Sequence, residues 1–147
     1  MNGGQPACLL DVNVLIALFD PLHVQHDAAH DWFAARGDNA WATCPMTENG
    51  VLRIVGHPRY PNSPGNPAVV ATALAGLCAL PGHQFWSDDI SLLRDVSVDP
   101  SRLLTSAQIT DSYLLVLARR NGGRLASFDR RLVTSAVAGG AEALLLI

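Results

Sequence analysis

The sequence predicts an α/β fold, a mostly parallel sheet of five strands covered by helices on both faces, and three observations lead there. Short apolar runs of strand length alternate with longer helix-compatible segments from one end to the other, the arrangement that builds parallel sheets. The 147 residues are 49% hydrophobic with a positive mean hydropathy, enough for a generous core, and the length favours one domain over 1–147. The first apolar run also ends in an acid, Asp11, followed by Asn13. In an open α/β sheet that edge, beyond the carboxyl ends of the strands, is where ligands bind.

The elements follow in order. Ala7 to Leu10 reads as the first strand, and a short helix runs from there until Asp20-Pro21 breaks it. His23 to Arg36 is a second helix with Ala28, Ala29, Trp32, Phe33 and Ala35 as its apolar surface, stopped by Gly37-Asp38-Asn39. Its His23, His26 and His30 stand three and four apart, a spacing that is weak evidence for a metal site, so they read as solvated or capping residues. Trp41 to Cys44 is the second strand, and Pro45 opens a helix through Val55. Glu48, one of two glutamates in the chain, shares a stripe of that helix with Val51, Leu52 and Val55 and so faces its apolar side.

Gly56 to Asn66 is a proline-rich loop or lid in which Arg59 and Tyr60 are candidate substrate contacts. Asn66-Pro67 starts an alanine-rich helix through Leu80, ended by Pro81-Gly82. His83 to Trp86 is the third strand, and Ser87-Asp88-Asp89 is expected to cap a helix reaching Val96. Thr105 or Ser106 begins the next helix, which ends at Arg120, and Asp111 shares its apolar stripe with Leu114, Leu115 and Ala118. Arg124 to Ser127 is the fourth strand, Phe128-Asp129 its turn, Arg130 to Ala138 a closing helix, and Ala141 to Ile147 holds the last strand.

Composition excludes several classes. Cys8, Cys44 and Cys78 are odd in number, far apart and set in apolar runs, so they suggest buried thiols rather than a disulfide framework or a zinc site. No basic leader opens the chain and Pro67 to Leu80 is too short to span a bilayer, which predicts a cytosolic protein without membrane contact. A formal net charge of -3 argues against a simple basic nucleic-acid binder. All ten positive charges are arginines. A haloacid-dehalogenase-like phosphatase would need an aspartate where Asn13 stands, and a lysine; a response-regulator receiver needs the lysine too.

Four acids remain that local rules leave unexplained: Asp11 and Asp129 near strand ends, Glu48 and Asp111 on inward helix stripes. Gathered together they would repel one another unless a cation sat among them, and an all-oxygen donor set suits Mg²⁺ or Mn²⁺. Such a centre fits phosphodiester hydrolysis. Setting these acids aside also turns the remaining balance positive, leaving arginines 53, 59, 119, 120, 130 and 131 as candidates for phosphate contacts.

Leu10-Asp11-Val12-Asn13, Thr47-Glu48, Ile109-Thr110-Asp111 and Ser127-Phe128-Asp129, in that order over nearly the whole chain, resemble the PIN-domain ribonucleases. Within them the chain is most similar to the stand-alone VapC toxins of bacterial toxin-antitoxin pairs, which share a segment like His30-Asp31-Trp32-Phe33-Ala34. The resemblance implies a three-layer α/β/α sandwich and Mg²⁺-dependent endoribonuclease activity leaving a 5′-phosphate. It implies homodimerisation and inhibition by a cognate VapB-type antitoxin as well. Asp11, Glu48, Asp111 and Asp129 would then hold the metal directly or through water, with Asn13 and Ser127 in support. A PIN nuclease of RNA maturation, or a PIN module that binds RNA or a partner without cleaving, is the alternative.

Overall fold

The structure, a computed structural model, describes residues 5–147. Five parallel strands, β1 (Cys8–Leu10), β2 (Trp41–Thr43), β3 (His83–Phe85), β4 (Arg124–Ser127) and β5 (Leu144–Leu146), form one sheet in the order β3-β2-β1-β4-β5. The predicted α/β class and parallel sheet are therefore what is found. No described helix is long and apolar enough to cross a membrane.

Strand alternation sorts the core into two layers. Leu9, Ala42 and Leu125 point to one face, where they pack with Leu114, Leu115 and Leu117 of α5 (Ala107–Arg120). Cys8, Leu10, Trp41 and Ala126 point to the other, against α1 (Val12–Phe19), α2 (His26–Ala35), α3 (Pro45–Val55) and α4 (Pro67–Cys78). β1 lies in the middle of the sheet and is buried on both sides, as its unbroken apolar sequence requires. α5 runs buried from Ser112 to Ala118, a helix enclosed by neighbours rather than half-exposed.

Local chemistry sets the helix ends. Asp11 caps α1 through its carboxylate and the Val12 amide, 2.8 Å apart. Pro45 and Pro67 stand at the starts of α3 and α4, and the Asn66 side chain accepts from the Val69 amide. His26 and His30 hydrogen-bond the Ala17 and Leu18 carbonyls at 2.7 and 2.9 Å, so these histidines tie α2 to the end of α1. In the 56–66 loop the Tyr60 hydroxyl and Asn62 amide donate to the buried Asp20 carboxylate at 2.5 and 3.0 Å. Tyr60 is thus an anchor of the loop.

Two predicted helices do not form. Residues 87–96 are turns and extended chain, and Asp88, instead of capping a helix of its own, accepts from the Met46 amide in the first turn of α3 at 3.0 Å. Residues 130–138 are likewise non-helical; Val137 makes an antiparallel bridge to Val98, and only the short α6 (Gly140–Ala143) precedes β5. In both segments aspartates bond the backbone two residues on, Asp95 to Ser97 and Asp129 to Arg131, the local turn that competes with a helix.

Candidate functional site

The sheet reverses its direction of growth between β1 and β4, and at such a switch point the connections diverge and leave a crevice past the strand ends. Leu10 is paired with Ala126, so Asp11 and Ser127 emerge side by side one residue later. The Ser127 hydroxyl donates to Asp11 at 2.7 Å and accepts from the Asn13 side-chain amide and the Asp129 backbone amide, each at 3.0 Å. Asn13 in turn accepts from the Phe128 amide at 3.1 Å. These bonds fix the turn after β4 to the start of α1 and set Asp11 and Asp129 beside one another, while α5 brings Asp111 from the opposite face of the sheet.

The three carboxylates feel one another. Burial, together with the charges of Asp11 and Asp129, pushes the Asp111 pKa up to about 6. Burial also raises that of Asp11, against the lowering effect of the Ser127 and Val12 hydrogen bonds, with Asp129 raising it further. Among the described residues the ion pairs are Arg102–Asp99 and Arg120–Asp95, so no arginine neutralises the trio. Neighbouring carboxylates with uncompensated charge fit a divalent cation of the Mg²⁺ or Mn²⁺ kind.

Glu48 is held elsewhere. It accepts from the Thr43 hydroxyl at 2.6 Å and lines a cleft of about 500 Å³ between α3 and α4 with Leu52, Leu74 and Cys78. Its neighbours with ligating atoms are Cys78 and His83. The inward orientation read from its stripe is right, but for position 48 inward means toward α4. Position 50, two residues and about 200° further round the helix, faces Asp11. It is a glycine, packed so closely that an added Cβ would lie 2.7 Å from the Val12 side chain.

A second cleft, about 510 Å³, opens over Asp11 and is walled by Met46, Asn49, Gly50, Arg53, Asp88 and Thr110. Asn49, Arg53 and Asp88 are thus polar groups at the site; only Arg53 was among the sequence candidates, and Asp88 had a sufficient local explanation. Of the other arginines, Arg119 is bonded to the Ala138 carbonyl and Arg120 to Asp95.

A PIN domain model matches residues 8–138. Among curated proteins, Ribonuclease VapC39 of Mycobacterium tuberculosis is 44% identical over 136 residues, 92% of this chain and 98% of that protein. Ribonuclease VapC44 of the same organism is 42% identical over 91% of this chain and 94% of its own length, and Ribonuclease VapC38 is 41% identical over 87% and 89%. The protein belongs to the PIN-domain family, and within that family to the VapC ribonucleases.

Proposed function

We propose that this chain, a single PIN domain over 1–147, is a Mg²⁺-dependent endoribonuclease acting as the toxin of a VapBC-type pair in the cytoplasm, with Mn²⁺ able to substitute. The observation that supports this reading is the mutual charge that Asp11, Asp111 and Asp129 exert on one another at the switch point, with no cationic partner among the described residues. In this reading the three aspartates hold the ion. When bound, it supplies positive charge that orients and acidifies a water and offsets the charge growing on the phosphoryl oxygens.

The protein's own groups do the rest. Ser127 and Asn13 fix the rotamers of Asp11 and the Asp129 turn, so the donors need no rearrangement when charge develops. Asp111, protonated in part near pH 6 before the ion arrives, releases that proton on binding. Arg53, on the wall of the cleft, offers a guanidinium to an RNA phosphate. Asp88, on the wall of the same cleft, offers a further carboxylate there. Partners in this reading are RNA, a second copy of the chain and a VapB-type antitoxin whose basic side chain occupies the acid cluster.

The test is cleavage of a mixed single-stranded and structured RNA pool by purified protein with Mg²⁺, Mn²⁺ or EDTA, beside Asp11→Asn. Metal-dependent cutting that Asp11→Asn abolishes is expected. Binding without cutting by the wild type would favour the non-cleaving module.

A further inference from the structure

The Glu48 cluster is a different kind of place from the aspartate trio. Glu48 comes from α3, Cys78 is the last residue of α4, and His83 opens β3, yet one ligand atom from each lies within 4.8 Å of the others. We propose that these three side chains bind a transition-metal ion of the Zn²⁺ class, at a site separate from the acidic centre, with water in the fourth position.

Donor chemistry points there first. Carboxylate, thiolate and imidazole together are the mixed set that borderline-soft Zn²⁺ selects, and Mg²⁺ avoids thiolate and imidazole. The geometry needs little change. Zinc bonds of roughly 2.0–2.3 Å place tetrahedral donors about 3.3–3.8 Å apart, so closing in by about 1 Å completes the site. Thr43 pre-orients two of the three donors. Its buried hydroxyl donates to Glu48 at 2.6 Å, and with its one proton so used it accepts from His83 Nε2 at 2.8 Å. A hydroxyl behind the ligands is the supporting shell that metal sites use to fix rotamers. The cleft between α3 and α4, lined by Glu48 and Cys78, supplies the entry path.

The groups are also in workable states. Burial lowers the His83 pKa, against the raising effect of Glu48, so the ring is neutral at neutral pH and has a lone pair to give once its tautomer suits. Burial raises that of the Cys78 thiol, with the Glu48 charge adding to it, so metal binding releases its proton. The ion would clasp α3, α4 and the edge strand β3.

The experiment titrates the metal-free full-length protein with Co²⁺, which reports sulfur ligation by a thiolate-to-metal charge-transfer band. One Co²⁺ per chain with that band is expected, displaced by Zn²⁺ and untouched by excess Mg²⁺. Cys78→Ser should abolish the band, and His83→Ala should weaken binding by about tenfold or more. Asp11→Asn should leave both intact, which separates this site from the ribonuclease reading whether or not RNA is cut. Circular dichroism establishes that each variant is folded, and His83→Gln serves if either first-choice variant is not. Absence of the band in wild type, its survival in folded Cys78→Ser, or its loss in Asp11→Asn overturns the proposal.

Discussion

Acids that look alike in the sequence live in opposite surroundings on the two sides of α3. On one side, Asp11 accepts from the Ser127 hydroxyl, the Asp129 backbone amide donates to that same hydroxyl, and Asp11, Asp111 and Asp129 press against one another's charge. On the other, Glu48 sits among a hydroxyl, a thiol and an imidazole at the mouth of a mostly apolar cleft. A carboxylate on the inward stripe of a helix is therefore only half an assignment. A helix buried between two neighbours has two inward directions, and a residue's place in the turn decides which neighbour it meets.

The largest expected effect tests that contrast directly. Asp11→Asn should lower Mg²⁺-dependent RNA cleavage by about 100-fold or more, since a charged donor to the cation disappears from the transition state. Glu48→Gln should lower it by less than about tenfold. Equal losses in single-turnover assays would collapse the distinction.

Asp111 sharpens the comparison through pH. Its folded pKa, about 6, lies above the ordinary carboxylate value, so the folded protein holds this proton more tightly than the unfolded chain. Stability of the cation-free protein must then fall as pH rises from roughly 4 to 6 on this account. In EDTA, Asp111→Asn should melt a few degrees above wild type at pH 7.5, and the difference should vanish near pH 4. The same variant should lose Mg²⁺ affinity by calorimetry. A lower melting point at pH 7.5 would mean that the trio is not repulsive.

Ser127→Ala removes the hydroxyl that serves Asp11, Asn13 and the Asp129 amide, and should cost about 1–3 kcal/mol in urea unfolding. It should also lower activity without abolishing it, because all three carboxylates remain. The smallest effect lies away from both clusters. Tyr60→Phe deletes one donor to Asp20, whose carboxyl is raised by burial but drawn below its usual value by Tyr60, Asn62 and the Leu22 amide. About 1 kcal/mol should be lost, with cleavage unchanged.

The order of strands and helices was legible because apolar runs and their punctuation are local. β4 and α3 fall at the bounds that the sequence predicts, and Asp11, Asp129 and Asp111 stood out because each breaks an apolar pattern. The helices expected over 87–96 and 130–138 gave way to local aspartate turns and to contacts that the local pattern hides. Those stretches are held by distant partners, Asp88 by α3 and Val137 by Val98.

By itself, then, the sequence determined the α/β class and the parallel sheet and singled out four acids, since period and the expense of a buried charge are properties of neighbours along the chain. Only the tertiary structure decided which acids meet. It turned Glu48 toward Cys78 and His83, positions 30 and 35 residues away, and put Gly50 opposite Asp11. It also brought Asp88 and Arg53 to the cleft. Those choices depend on how helices rotate and seat against the sheet, and packing of the whole core sets that rotation.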